Sequence, residues 1–393
     1  MKKWIALLTA LFLLGGVVSL AAAGQSEAEE KPLTLLCLNI GKADCMLLTY
    51  GDSHYLIDAG YEQTWPALKT ALDQYGVTYL DGVFLTHCHK DHAGGLLPLA
   101  KSTVRVDAWY AASICCSVEE NEHPALLAAR ERGQEVTWLN AGDKIECGDA
   151  SFTVLGPLNA DPENENNNSL VMRFSSPAGS ILLTGDMKTE EEEDLLAVGA
   201  LSPCDVLKAG HHGDNNATGA LLLSAVQPKA ALILTNSQEE PDTPDASTVK
   251  RLQKAGCEIY VSQEYSDALL LTLRDGTATV QNVKWSGIPE AAQGLRLSID
   301  LENDTLTVYN DSASSVTLKD CLLFSTKGEE ALPLPETTLA PGAAFVIGSK
   351  STPIQTDLVW QDKKIWHKSK RDMAILYDAW GRALARTDNG LEE

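Results

Sequence analysis

Thr86-His87-Cys88-His89-Lys90-Asp91-His92-Ala93-Gly94-Gly95 concentrates metal-ligand side chains in the order His-x-His-x-Asp-His. The apolar run 82–86 before it reads as a buried strand, and Gly94-Gly95-Leu96 reads as the opening of a helix, so the motif sits at a strand end. Side chains alternate along an extended segment, which turns His87 and His89 to one side and Cys88 to the other. Two imidazoles on one side can share an ion. The chain then turns at Asp91-His92, whose side chains reach a second ion; two-metal hydrolytic sites hold their ions roughly 3.5–4 Å apart. The stretch predicts a binuclear site. Cys88 is read with the other cysteines as a small buried hydrophobe.

Outward from this point the pattern is β-rich with helices inserted throughout. Upstream lie a strand at 33–38 and a hairpin at 45–60. The hairpin ends in Asp58-Ala59-Gly60, which is either a plain tight turn or a contributor to the site; Asp44 is similar. Downstream, helical periodicity covers 64–75 and 123–132, with His123 read as a surface residue at a helix start. An asparagine-rich loop, 159–168, leads into strands at 170–174 and 180–184, the second ending in Gly185-Asp186. Helix 189–198 carries Glu190 to Asp194 as its solvated face. Strand 205–209 delivers Gly210-His211-His212-Gly213, and further helices and strands run to 283. A Gly/Pro-containing connector, 284–294, precedes evenly spaced short strands over 295–390, the signature of a small β-sandwich.

Metal hydrolysis needs histidines to hold ions, a carboxylate to bridge them, and an open position where water loses a proton. His87 and His89 would hold one ion and Asp91 and His92 another, with Asp186 bridging and His211 completing the second set. His212 is assigned to substrate or supporting contact, although sequence does not separate it from His211. A bridging hydroxide would be the nucleophile, so no Ser or Cys nucleophile is required. Imidazole and carboxylate ligands suit two divalent ions, Zn²⁺ or Mn²⁺, with Fe²⁺ also compatible.

These ordered motifs, with Leu183-Thr184-Gly185-Asp186 and Lys208-Ala209-Gly210-His211-His212-Gly213, resemble those of the metallo-β-lactamase fold. Ile40-Gly41-Lys42-Ala43-Asp44 and Asn167-Asn168-Ser169-Leu170-Val171 resemble the hydrolase domain of ComEC-type DNA-uptake proteins. Over 32–283 the resemblance implies an α/β, four-layered αββα sandwich with metal-dependent phosphodiesterase or nuclease activity. It also implies a role for Asn168 in coordinating or orienting water. Two features depart from the pattern: no further histidine but His123 lies between the first motif and Asp186, and in the motif at 39–44 Asn39 stands where an aspartate is usual while Lys42 and Ala43 replace glutamine and glycine. Residues 295–390 resemble a lamin-tail domain, an immunoglobulin-like sandwich, in which Lys363 to Arg371 forms a basic loop around Trp366 that would contact phosphate.

Composition bounds the setting. At 393 residues the chain has room for two domains. Met1-Lys2-Lys3, an apolar run and Ala21-Ala22-Ala23-Gly24 form a signal peptide over 1–24, or an uncleaved anchor, followed by a disordered spacer at 25–31. The mature chain is therefore expected to be secreted or at the cell surface, without a stable membrane span after cleavage. Nine cysteines with no CxxC spacing are read as buried hydrophobes with one or two bridges. The net charge of −23 repels nucleic acid, a field that bound cations and the basic loop would soften. The expected partners are nucleic acid or another phosphoester, with cell-surface contact through the C-terminal domain. Alternatives are a hydrolase of a smaller phosphoester, such as a nucleotide or cell-wall choline phosphate, a β-lactam hydrolase, and a non-catalytic cell-surface binding protein.

Overall fold

Strand Leu33–Leu38 shows why the apolar runs build layers on both sides. Its Leu33, Leu35 and Cys37 enter a core shared between two sheets, whereas Leu36 and Leu38 enter a second core beneath a layer of helices. Alternation with both faces apolar is what a strand covered on both sides requires. Each fully buried Leu contributes roughly 1.5–3 kcal/mol.

The computed structural model describes residues 31–328, 330–360 and 364–391. The expected leader and all of the spacer but Lys31 lie outside the described residues. None of the helices among the described residues is long and apolar enough to cross a membrane.

The first sheet has eight strands, in the spatial order Thr277–Val283, Ala268–Arg274, Leu33–Leu38, Met46–Tyr50, Ser53–Ile57, Gly82–Leu85, Trp109–Ala112 and Val136–Leu139. The second has seven, in the order Glu258–Val261, Ala230–Ile233, Val206–Lys208, Gly179–Leu183, Val171–Ser176, Ala150–Gly156 and Lys144–Cys147. Their facing sides share one core, containing Phe84, Phe152, Phe174 and Leu183. Residues of helices Trp65–Gln74, Leu96–Lys101 and Pro124–Glu131 join the outer core of the first sheet. Those of Thr189–Ala197, Ala220–Val226 and Ala246–Lys254 join the outer core of the second. The result is the αββα sandwich.

From Leu295 onward the chain is all β. Two four-stranded sheets enclose a core that includes Leu306, Ile347, Trp360, Trp366 and Leu376. Trp366, placed by sequence in a phosphate-contacting loop, is 2% exposed and packs with Trp360 instead, so only the polar part of that loop is available to a ligand. This layer docks onto the sandwich: the Arg371 guanidinium donates to the Glu239 carbonyl at 2.7 Å, and Arg386 Nε to the Glu239 carboxylate at 2.7 Å.

The expectation of a solvated acidic face on helix Thr189–Ala197 fails at two positions. Glu191 and Glu192 are buried because they accept backbone N–H groups that have no other carbonyl: Leu158 for the first, Thr218 and Gly219 for the second. Nor is any of the nine cysteines in a disulfide.

Candidate metal centre

Strand ends from both sheets meet at one edge of the sandwich. Ser53–Ile57 runs into Asp58, Gly82–Leu85 into Thr86 and His87, Gly179–Leu183 into Asp186, and Val206–Lys208 into the Gly210–Gly213 turn. Asp58 adopts a left-handed backbone (φ 57°), which aims its carboxylate back at the neighbouring strand end. There it accepts Thr86 N–H and Thr86 Oγ1–H at 2.8 Å each, and faces His92 Nδ1 at 2.8 Å.

These contacts fix which nitrogen each neutral histidine offers. A carboxylate only accepts, so His92 carries its proton on Nδ1 and presents the Nε2 lone pair. His212 does the same, its Nδ1 lying 2.8 Å from the Leu234 carbonyl. Thr86 has spent its one proton on Asp58, so it can only accept from His87 Nδ1 at 3.2 Å, and His87 Nε2 is again the free donor atom.

The lone pairs converge on Asp186. Its Oδ2 lies 3.2 Å from both His92 Nε2 and His212 Nε2, and 4.0 Å from His87 Nε2. Asp91 Oδ2 is 3.3 Å from His212 Nε2, while His87 Nε2 and His89 Nδ1 approach to 3.0 Å. His92 Nε2, His212 Nε2 and Asp186 Oδ1 are buried without a hydrogen-bond partner. Burial raises the Asp91 and Asp186 carboxyls, but the adjacent His92 and His212 outweigh it and hold both well below the usual range. Burial lowers the His92 and His212 imidazoles, yet the surrounding carboxylates win and raise both. His87 is pushed well below its ordinary value, by burial first and then by His92. Orphaned buried nitrogens facing a buried carboxylate, in an all-imidazole and carboxylate set, fit divalent cations.

The structure separates the two adjacent histidines, and it reverses the assignment made from sequence. His211 makes no ion pair with Asp186 and is held by two asparagines, its Nδ1 2.8 Å from Asn216 Oδ1 and its Nε2 3.2 Å from Asn166 Nδ2. His212 takes the inward place because both residues adopt left-handed backbones (φ 45° and 52°), which swing successive side chains around a tight turn. Asn168 is likewise not at the centre. It is fully buried and spends its amide on Asp161 and Glu165, holding the asparagine loop together; Asn166 is the loop residue that reaches the site's rim. His123, expected at the surface, is 4% exposed and lies beside Cys88 and Cys115 instead.

Lys208 was quoted in a motif but given no role. It is completely buried, with Nζ 2.6 Å from Asp44 Oδ2, 3.5 Å from Asp186 Oδ1 and donating to the Gly185 carbonyl at 2.9 Å. Burial opposes its charge, but Asp44 and Asp186 outweigh burial and raise its pKa. Asp44 in turn lies 3.4 Å from His212 Nδ1. The available signal was a lysine closing an otherwise apolar strand.

Residues 38–237 match the model of the metallo-beta-lactamase superfamily. The chain belongs to that superfamily. Its members bind divalent metals, often two, and are generally metal-dependent hydrolases. The chain is 34% identical over 179 residues to ComE operon protein 3 of Bacillus subtilis (strain 168), covering 46% of this chain and 23% of that protein. It is 26% identical over 280 residues to competence protein ComA of Neisseria gonorrhoeae, covering 70% and 37%. This superfamily member thus spans well under half the length of either relative. Among solved structures it is similar to the metallo-beta-lactamase fold protein YhfI from Bacillus subtilis, at 13% identity and a TM-score of 0.41, over 62% of this chain and 99% of that one.

Proposed function

We propose that this chain is an exported, metal-dependent phosphodiesterase whose substrate is nucleic acid. The observation that carries the reading is a cleft of about 420 Å³ beside the centre, lined by Lys42, Lys90, Lys327 and Arg371 together with Tyr61 and Phe324. Lys42 feels the charges of Asp91 and Asp186, and Lys90 directly precedes Asp91, so these two cations border the centre itself. A row of cations is what a phosphodiester backbone seeks, and it answers locally the objection raised by a net charge of −23. The names of the relatives, competence protein ComA and recombination protein 2, support the same substrate class.

In this reading His87 and His89 would hold one ion and Asp91, His92 and His212 the other, with Asp186 available to both. When bound, the two ions supply Lewis-acid polarisation and a water acidic enough to attack at neutral pH. The chain's own residues do the rest. Asp58 and the Leu234 carbonyl keep His92 and His212 in the tautomer that ligates. Lys208 and Asp44 pin Asp186 and His212 in place. Lys42 neutralises the phosphate being cleaved, and Lys327 and Arg371, from the lamin-tail-like domain, position the strand beyond it.

The test is incubation of the purified chain with Mn²⁺ or Zn²⁺ and single- or double-stranded DNA. No cleavage despite measured metal occupancy would overturn the proposal. One observation favours a smaller phosphoester instead: Glu62, Glu239 and Glu240 also line the cleft. Turnover of a chromogenic phosphodiester without cleavage of DNA would select that reading.

A further inference from the structure

On the opposite side of the first motif from its histidines, Cys88 Sγ lies 2.9 Å from Cys115 Sγ. His123 stands beside them, the three potential ligand atoms all within 4.8 Å of one another. Its Nδ1 is buried and without a hydrogen-bond partner, although the ring is held edge-on to Trp138 at 4.8 Å between centroids. Glu165, 7% exposed, borders this three-residue cluster and interacts with both thiols. One of its oxygens, Oε2, accepts from Cys116 N–H at 2.8 Å and Asn168 Nδ2 at 2.9 Å, while Oε1 is buried and unpartnered.

We propose that Cys88, Cys115, His123 and Glu165 form a further metal site, separate from the hydrolytic centre, that takes a thiophilic divalent ion of the zinc class. Two sulfurs, an imidazole nitrogen and a carboxylate oxygen are a closed four-ligand set of the kind used for structural zinc. Two thiolates on one zinc, each at about 2.3 Å, sit roughly 3.7 Å apart, so the sulfurs must open by less than an ångström. Cys115 can supply that movement, because it lies in the loop beyond strand Trp109–Ala112 and is only partly buried.

A Cys88–Cys115 disulfide is the competing use of this pair, requiring closure to about 2.05 Å. It would leave His123 Nδ1 and Glu165 Oε1 buried with nothing to bind, at a cost of about 1–3 kcal/mol for each orphaned group. An ion satisfies all four groups together. It would also tie the turn carrying His87 and His89 to the start of helix Pro124–Glu131 and to the asparagine loop, bracing the hydrolytic centre from behind.

The hydrolytic centre contains no sulfur, so a sulfur signature cannot come from it, and Cys115→Ser ties the signature to this pair. The full chain, reduced and stripped of metal, is titrated with Co²⁺ and followed by near-ultraviolet absorption, with alkylation and mass spectrometry of the freshly purified protein in parallel. The expected result is a thiolate-to-cobalt charge-transfer band whose final amplitude corresponds to one cobalt bound by two thiolates and which disappears on adding Zn²⁺. In Cys115→Ser the band loses at least half its intensity while ions at the hydrolytic centre remain. His123→Gln weakens Co²⁺ binding at this site at least tenfold. Three results would each overturn the proposal: no band in the wild-type chain with its thiols free, a band of undiminished intensity in Cys115→Ser, or recovery of Cys88 and Cys115 joined to each other. The wild-type measurements decide even if a variant fails to fold.

Discussion

Replacing Lys208 with Met removes a charge from the interior while nearly conserving the length of the side chain. Asp44 then keeps a fully buried carboxylate whose ammonium partner, formerly 2.6 Å away, is gone, and the Gly185 carbonyl loses its 2.9 Å donor. Breaking a buried pair by removing one partner costs about 3–5 kcal/mol, because the surviving charge stays in a medium that cannot solvate it. At about 2 °C per kcal/mol for a chain of this size, Tm should fall by roughly 6–10 °C. Asp44→Asn should cost a comparable amount, since Lys208 is then left with Asp186 alone. The double variant closes the cycle: it buries no orphaned ammonium, so its loss should fall short of the sum of the single losses by about 2 kcal/mol or more. Thermal unfolding of the four proteins by differential scanning calorimetry, with chelator present so that no ion compensates, reads this directly. A Lys208→Met loss below about 1 kcal/mol, or strict additivity in the double variant, would refute an ion pair at this position.

Further outcomes follow from the same geometry. Asp58→Asn leaves one accepting oxygen where the carboxylate's two serve Thr86 N–H, Thr86 Oγ1–H and His92 Nδ1–H, so His92 loses its charged acceptor and metal affinity should drop about 10–100-fold by calorimetric titration, as for other partners of metal-binding histidines. His212→Ala should empty the second-ion position by metal analysis, whereas His211→Ala should leave occupancy intact; the reverse result would restore the assignment suggested by sequence alone. Gly95→Ala places a Cβ 2.2 Å from the Ala59 carbonyl oxygen, which must shift, and should destabilise by about 1–3 kcal/mol. Burial pushes the Glu191 carboxyl up to about 7 from 4.5. Its folded-state value being the higher one, its contribution to stability is fully present below the unfolded value and is lost as pH rises through about 7. Glu191→Gln keeps an acceptor for Leu158 N–H and should flatten that slope, gaining roughly 1–3 kcal/mol above pH 7 in urea unfolding.

What sequence could and could not show divides along a physical line. The pairing of His87 with His89, and the turning away of Cys88, follow from the two-residue period of extended chain, which needs no tertiary knowledge. The αββα layering came instead from the resemblance of the ordered motifs to a known fold; runs such as 33–38, buried on both faces, are the physical reason the layers form. The choice between His211 and His212 was not legible, because it depends on two consecutive left-handed residues, a conformation that nothing in the pair His-His specifies. In the asparagine loop a 3₁₀ turn spans Glu165–Asn168, so a shift of two residues decides which amide meets the site and which one closes the loop.

Charge misled for a different reason. Composition treats each ionisable side chain as solvated, yet Lys208, Asp44, Asp58, Asp186, Glu191 and Glu192 are all buried. Three of them, Lys208, Asp44 and Asp186, form one network behind the centre, and the two glutamates serve as acceptors for loop N–H groups. Subtracting them changes what a net charge of −23 means. Much of the negative charge nearest the centre is compensated internally or is available to cations, while Lys42, Lys90, Lys327 and Arg371 line the cleft that a substrate would enter. The short-range field in that cleft is set by these four cations together with Glu62, Glu239 and Glu240, since the acidic exterior beyond about 8–10 Å is screened at physiological salt.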